Sequence, residues 1–196
     1  MDKVTAKEYV ENLEENLNDL YQRMRGGRYT APPVKRVWIE KEDKSQRPIG
    51  IPAFEDKIVQ RAVSMLLGAV FNQDFYDFSY GFIEGRSPHQ ALKVIWEQCT
   101  VKTSNINWIL DAEVSGFFDN INHKLLREII KERVNDGGLL RYIGKWLNAG
   151  VQEGTVLSYS ETGTPQGGAI SSLLANIFLH HVLDEWLVTL LVKSLQ

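Results

Sequence analysis

The chain has 196 residues, of which 43% are hydrophobic, 24% charged and 10% aromatic. This composition is typical of a folded domain and excludes a disordered or low-complexity chain. The net charge of −3 at pH 7 argues mildly against a nucleic-acid binder. No apolar run approaches the ~18 residues that a membrane helix requires, and the polar, acidic start is unlike a signal peptide, so we expect a cytoplasmic protein without a membrane partner.

Apolar spacing predicts the elements of the first half of the chain. A helix is expected to begin after Thr5, a good N-cap residue, and to end at Gly26. Two consecutive prolines then force extended backbone before a strand over residues 34–40. Residues 49–52 are also expected to be extended, and a second helix to cover residues 58–69.

The second half of the chain predicts more helices and few strands. A helix is expected to begin at Pro88 behind a serine cap, with the free Cys99 on its buried face. The apolar run over residues 108–114 predicts a buried strand. Two amphipathic helices, a hairpin over residues 151–160 and a long helix from Ile170 follow. This order indicates an α+β chain.

The charge is distributed unevenly, with a basic stripe between residues 23 and 47. The basic stripe holds eight basic and three acidic residues, a local charge of +5. Such a concentration can follow a phosphate backbone whatever the net charge. A solvated surface face has the same composition, so both interpretations stay open. The eight bases are Arg23, Arg25, Arg28, Lys35, Arg36, Lys41, Lys44 and Arg47.

Acidic residues cluster at the end of the predicted 108–114 strand. Side chains two residues apart on a strand share a face, so Asp111 and Glu113 are expected to point into one space. Asp119 follows after a predicted tight turn. Clustered carboxylates are the usual ligands of Mg²⁺ in phosphoryl-transfer sites. An exposed acidic strand edge would show the same pattern, so periodicity alone leaves two interpretations.

Two glycine-rich segments precede predicted helices. Residues 163–168 expose backbone N–H groups to whatever lies against them, and Gln166 is placed to bond a base, sugar or phosphate. Residues 79–88 carry glycines and Arg86 in a similar position. Each segment alone is a weak signal, because many such segments are ordinary turns.

Four sequence blocks follow one another in a recognisable order. They resemble successive motifs of group II intron-encoded reverse transcriptases, which are maturase-type RNA-directed DNA polymerases, over about residues 20–187. The order and length of the blocks make this resemblance far more specific than any one pattern. The blocks are RPIGIPAFEDKIVQRAV, DFSYGFIEGRSPHQAL, WILDAEVSGFFDNINHKLL and GTPQGGAISSLLANIFLHHVLDEW.

The resemblance implies an α+β, right-hand polymerase fold, helix-rich with few antiparallel strands. Residues 1–86 and 122–160 would form the fingers, and residues 87–121 and 161–196 part of the palm. The family implies a nucleotidyltransferase that extends a DNA primer with dNTPs on an RNA template, using Mg²⁺, and that acts with intron RNA in splicing and intron mobility. The 196 residues contain no Tyr-x-Asp-Asp motif, thumb or maturase domain, so we expect a fragment with an incomplete palm.

Roles can be carried over by motif position. Arg47 and Lys44 would hold the incoming triphosphate, and Phe117 or Phe118 would lie under its sugar. The other implied contacts are Gln166 and Gly167 with the nucleotide or template, Arg86, Arg36 and Arg28 with the template or other RNA, and Asp111 and Glu113 with the catalytic Mg²⁺.

The sequence departs from the family pattern at several motif positions. Glu113 stands where the family has aspartate, and its extra methylene would displace a metal site that tolerates errors of only about 0.5 Å. Ile83 and Glu84 replace the usual arginine and proline, and Ser172 replaces a usual proline. With the Tyr-x-Asp-Asp ligands also missing, we expect this chain to be inactive as a polymerase.

Other functions remain open. The main alternative is a non-catalytic RNA-binding module that retains the fingers surface, with binding expected to depend on Arg36 and Arg47 and not on Lys124 and Lys131 of a distant helix. An unrelated Mg²⁺ hydrolase is disfavoured, because no nucleophile or general base accompanies the acids. We also expect self-association through the apolar end of the last helix, at Phe178, Val182, Trp186, Leu187 and Leu190.

Overall fold

The computed structural model describes residues 4–42, 44–101, 106–164 and 167–194. Over these ranges the chain is helix-rich with one small sheet. The helices are α1 (Ala6–Glu11), α2 (Leu13–Arg25), α3 (Phe54–Phe71), α4 (Pro88–Thr100), α5 (Phe117–Asn120), α6 (His123–Arg133), α7 (Gly137–Leu147), α8 (Ser171–Leu179) and α9 (Glu185–Ser194), with a π-helical turn over His180–Asp184. The strands are β1 (Val34–Glu40), β2 (Gln46–Ile51), β3 (Val151–Glu153) and β4 (Val156–Ser158).

The N-terminal segment that was predicted to form one helix forms two helices, α1 and α2. Thr5 caps α1 as expected, in a capping box with Glu8. Asn12 then leaves the helical region, with φ −128° and ψ 46°, and separates α1 from α2. Asparagine competes for backbone hydrogen bonds and therefore favours helix ends over helix interiors.

The four strands form one mixed sheet in the order β2-β1-β3-β4. β1 and β2 form an antiparallel hairpin, and so do β3 and β4, but β1 and β3 pair in parallel, where only antiparallel strands were expected. Residues opposite each other share a face of the sheet. Trp38 lies opposite Pro48, and Ile39 lies opposite Arg47, so Arg47 and Trp38 belong to opposite faces.

The core lies where α3, α6, α7 and α8 pack together. The second predicted helix, α3, is confirmed, but it buries Val59, Val63 and Leu67, whereas Met65 and Leu66 are exposed. Apolar residues occur on both sides of this helix, so spacing alone could not select the buried side. The largest fully buried side chains include Tyr29, Leu67, Ile121, Leu126, Ile130, Ile143, Leu174 and Ile177.

A buried polar network fixes the segment before β1 to α3 and α7. The Tyr29 hydroxyl donates to Asp56 Oδ1 at 2.5 Å and accepts from Trp146 Nε1 at 2.8 Å. Lys145 also donates to the Tyr29 carbonyl. Burial, and then the bond to Asp56, raise the pKa of the Tyr29 hydroxyl well above its ordinary value. These bonds satisfy polar groups that would be costly to bury alone.

The span over residues 88–114 differs from the rest of the chain. α4 begins with the predicted Ser87 cap, but it has no buried residue, and Cys99 is exposed rather than buried. The buried strand predicted over residues 108–114 is wrong, because this segment is irregular and the side chains of Trp108 and Leu110 are 92% and 91% exposed. A strand requires a neighbour for its backbone hydrogen bonds, and no described strand lies beside this segment.

The last helix combines a buried start with an exposed end. α8 packs Leu173, Leu174 and Ile177 into the core, whereas Trp186 and Leu190 of α9 are about half exposed. By length and composition alone, Ser171–Leu190 resembles a helix that could cross a membrane. Core helices of soluble proteins satisfy the same criterion, so this finding carries little weight.

Candidate functional site

Two of the resembling blocks are joined by main-chain hydrogen bonds into what we call the motif junction, residues 116–123 and 160–164. Gly163 N donates to the Ile121 carbonyl at 2.8 Å, and Thr164 N donates to the Phe118 carbonyl at 2.7 Å. Thr162 Oγ1 donates to the Asp119 carbonyl at 3.1 Å. The glycine-rich segment is therefore held directly against the turn that carries the two phenylalanines.

A histidine that the sequence did not single out supports this junction. His123 is 8% exposed at the start of α6, and its Nε2 lies 2.6 Å from the Gly163 carbonyl oxygen. A carbonyl can only accept, so Nε2 carries the hydrogen in this contact. Asn122 caps the same helix by accepting from Leu125 N at 2.9 Å.

Two glycines are required by close approaches between the blocks. Gly163 has φ +88°, and a Cβ there would lie 2.9 Å from the Asp119 carbonyl oxygen. Gly167 has φ +114°, and a Cβ there would lie 2.6 Å from the Gly50 carbonyl oxygen of β2. Both conformations and both distances exclude a side chain. A third block, the one that contains β2, is thereby brought to the same place.

α3 holds the other side of the glycine-rich segment. Gln60 is 4% exposed, and its Oε1 accepts from Ala169 N at 2.9 Å. Thr164 is 3% exposed, and its hydroxyl has no hydrogen-bond partner among the described residues. Gln60 was detectable in principle as a polar residue inside the apolar stretch of α3, whereas nothing local in the sequence distinguishes Thr164.

A cleft of about 280 Å³ separates the motif junction from one face of the sheet. Its lining includes Arg36 and Pro48 from the sheet and Asp119 and Gly163 from the junction. The Arg36 guanidinium carbon lies 5.8 Å from the centre of the Trp38 ring, a distance typical of a cation–π contact. The lining of the cleft therefore includes a basic residue of the sheet and an acidic residue of the junction.

The residues predicted to contact a nucleotide are only partly brought together. Arg47 lies on the sheet face opposite Arg36, and Lys44 is exposed in the hairpin turn with φ +63°. Phe117 and Phe118 are half-buried, with ring centres 5.6 Å apart. Gly167 lies against β2 as described, and Gln166 is outside the described residues.

The residues predicted to contact a template have different environments. Arg86 is committed to its own loop, where it donates to the carbonyls of Tyr76 and Ser79 and pairs with Asp77 at 3.5 Å. Its role toward a template stays a prediction. Arg28 is exposed, and Arg36 lines the cleft.

Part of the basic stripe has a structural role. Arg23 Nη2 donates to both carboxylate oxygens of Glu55, at 2.7 and 2.8 Å, and Arg23 Nε donates to Asp19 at 2.7 Å. These hydrogen bonds raise the pKa of the Arg23 guanidinium, with the bond to Glu55 as the largest cause. Arg23 therefore fixes α2 to α3, and the stripe is not one continuous binding surface.

The predicted metal ligands do not form a metal site in this arrangement. Asp111 and Glu113 are exposed on irregular backbone, so the shared strand face expected for them is absent. Among the described residues, no three histidine, cysteine, aspartate or glutamate side chains are grouped so that they could hold a metal ion. The carboxylates therefore do not fit a bound Mg²⁺ as they stand.

Comparison with known proteins agrees with the order of the blocks. Residues 39–193 match the family model for reverse transcriptase, an RNA-dependent DNA polymerase. The chain is 38% identical over 181 residues to the group II intron-encoded protein LtrA of Lactococcus lactis, covering 92% of this chain and 29% of that protein. It is 35% identical to protein YkfC of Escherichia coli, covering 89% of this chain and 46% of that protein.

A solved structure with a similar fold is the Cas6-RT-Cas1–Cas2 complex, with a TM-score of 0.58 at 22% identity. The match covers 96% of this chain and 31% of that one, and at this identity it shows the fold alone. The chain spans less than half the length of the two relatives. It belongs to the reverse transcriptase family, and within it to the group II intron reverse transcriptase and maturase type.

Proposed function

We propose that this chain holds the nucleotide and the RNA template of an RNA-directed DNA polymerase of the group II intron type. One observation carries this proposal: three blocks that lie far apart in the sequence meet at one cleft, and Arg36 and Asp119 both line it. A guanidinium is well suited to bind phosphate oxygens. Phe117 and Phe118 precede Asp119 on α5 and are half-buried against the core, and their exposed parts would supply an apolar surface for a sugar.

We further propose that the described arrangement does not catalyse nucleotide addition. Reverse transcriptases use divalent metal ions, and two-metal phosphoryl transfer requires grouped carboxylates. Here Asp111 and Glu113 are exposed and ungrouped. The role of this chain would then be to bind and orient nucleic acid and nucleotide, and Mg²⁺ binding by these two residues stays a prediction.

Nucleotide binding can be tested with the purified chain bound to an RNA template and a DNA primer. Titration with the complementary dNTP, followed by calorimetry, should detect binding that weakens about tenfold in Arg36→Ala, as expected for one charge-assisted phosphate contact. Arg141→Ala, an exposed arginine on α7 outside the cleft, is the matched control. Absence of dNTP binding, or equal losses in the two variants, would contradict the proposal.

The proposal that this arrangement does not catalyse nucleotide addition has a separate test. Primer extension on an RNA template should give no product with Mg²⁺ or Mn²⁺. Incorporation that disappears in Glu113→Ala would show that the carboxylates act after all. This test is independent of dNTP affinity, so the two parts of the proposal can fail separately.

A non-catalytic RNA-binding module is the second candidate. The contact between Arg36 and Trp38 on an exposed sheet face favours it, because arginine and aromatic side chains are the usual partners of single-stranded bases and phosphates. RNA binding without any measurable dNTP binding would select this function over the first. The cytoplasmic location and self-association through α9 stay predictions.

A further inference from the structure

A groove beside the motif junction is lined by bases of α6. It encloses about 610 Å³. Lys124, Arg127 and Lys131 line it, and all three are exposed. None of them forms an ion pair within 4.0 Å among the described residues. Three cations are therefore available to a ligand from outside the chain.

The spacing of the three bases suits an extended ligand. Residues three and four apart on a helix lie on one side of it, so Lys124, Arg127 and Lys131 form a row about 10 Å long at 1.5 Å per residue. Arg127 lies over α7, with its guanidinium carbon 3.9 Å from the position that a Cβ on Gly144 would occupy. The row is long enough to meet two or three consecutive phosphates.

Acidic residues in the groove limit the affinity that it can have for a chain of phosphates. Glu128 and Glu161 also line it, so the net charge of the lining at neutral pH is small. Binding would depend on the placement of the three bases along the row, and we expect it to be weak and sensitive to salt. Asn122 and Asn148 add uncharged polar groups to the same walls.

The groove borders the cleft described above at one residue. Thr162 lines both spaces, and its hydroxyl donates to the Asp119 carbonyl. A strand that leaves the cleft past Thr162 would meet the groove next. We infer that the row on α6 is a path for single-stranded RNA that extends from the cleft, an inference that rests on the proposed function. The ligand class is a phosphodiester chain, not an isolated phosphate.

The inference can be tested by fluorescence anisotropy with the full chain and a labelled single-stranded oligouridine. The double variant Lys124→Ala/Lys131→Ala should bind more weakly, and its log–log salt dependence should be shallower by about 1.4, at about 0.7 per phosphate contact on single strands. Lys7→Ala/Lys57→Ala removes the same charge from exposed positions on α1 and α3 and should leave the slope unchanged. Circular dichroism should confirm that both variants are folded.

Each outcome supports or overturns the inference. If the wild-type chain binds and Arg36→Ala weakens binding, but the α6 variant does not, the path along α6 is wrong and the proposed function stands. If the wild-type chain does not bind RNA, both fail. Equal losses in the two lysine variants would show non-specific attraction. Equal competition by polyglutamate of matched charge would show a general anion surface and would also overturn it.

Discussion

The motif junction and the span over residues 88–114 both carry family motifs, yet their organisation is opposite. In the junction, main-chain bonds at 2.7 and 2.8 Å join Phe118 and Ile121 to residues more than forty positions away. In the 88–114 span, no described residue is buried, and the apolar side chains of Trp108 and Leu110 face solvent. One region is built into the core, and the other lies outside it.

The difference shows which parts of the site depend only on this chain. The backbone groups of the junction form hydrogen bonds between its two segments and with the His123 side chain. The segment around Asp111 finds no strand to pair with among the described residues. Residues proposed to bind can therefore be in place while the predicted metal ligands are not.

The largest effect on the free energy of unfolding is expected when a buried leucine is replaced, and an exposed leucine provides the comparison. Leu174 is 1% exposed in α8, and Leu110 is 91% exposed beside Asp111. Leu174→Ala should lower the free energy of unfolding by about 2–5 kcal/mol through lost burial and a new cavity. Leu110→Ala should change it by less than about 0.5 kcal/mol. Urea denaturation followed by tryptophan fluorescence measures both, and similar losses would remove the distinction between the two regions.

The next largest effect on stability is expected from alanine substitution at one of two glycines that both have positive φ. Gly163→Ala combines backbone strain with a Cβ 2.9 Å from the Asp119 carbonyl oxygen and should cost about 2–4 kcal/mol. Gly85 has φ +78° with nothing within 4 Å of its Cβ position, so Gly85→Ala should cost only the strain, about 1–2 kcal/mol. Thermal unfolding of the two variants tests this order. A Gly163→Ala protein as stable as Gly85→Ala would show that the backbone of Gly163 is not held closely against Asp119.

A smaller effect is expected in the network that supports the junction side of the core. Tyr29→Phe removes the donor to Asp56 and the acceptor for Trp146, at a cost of about 1–3 kcal/mol. The folded-state pKa of Tyr29 is raised above its ordinary value of 10.0. Its contribution is therefore fully present below about pH 10 and is lost at higher pH, where the unfolded chain ionises first.

The same pH dependence provides the control. The difference in unfolding free energy between wild type and Tyr29→Phe should narrow as pH rises above about 10. It should be constant between neutral pH and about pH 9. A difference that grows with pH in the alkaline range would show that the hydroxyl is not held protonated by burial.

Much of the fold could be predicted from local sequence because its signals are local. The Thr5 and Ser87 caps, the strand over residues 34–40 and the 151–160 hairpin all depend on neighbouring residues. The burial of Cys99 and the strand over residues 108–114 depend on distant partners, and those predictions were wrong. A motif identifies a segment, but burial requires something to pack against.

The candidate site also combines features that the sequence predicts with features that depend on distant partners. Block order predicted that the segments around Phe118 and Gly167 act together, and the structure brings them to one cleft. The supporting role of His123 required a partner forty residues away and had no local signal. Lys124 was expected to lie on a distant helix on which RNA binding does not depend, yet it lines a groove that borders the cleft at Thr162.

Native-state hydrogen exchange followed by mass spectrometry tests most directly whether the junction is ordered while the Asp111 segment is not. Amides of Gly163 and Thr164, which donate to Ile121 and Phe118, should exchange slowly, as core amides do. Peptides over residues 108–114 should exchange completely at the earliest times, because these residues belong to no helix or strand and their side chains are exposed. Protection of residues 108–114 equal to that of the junction would contradict this account.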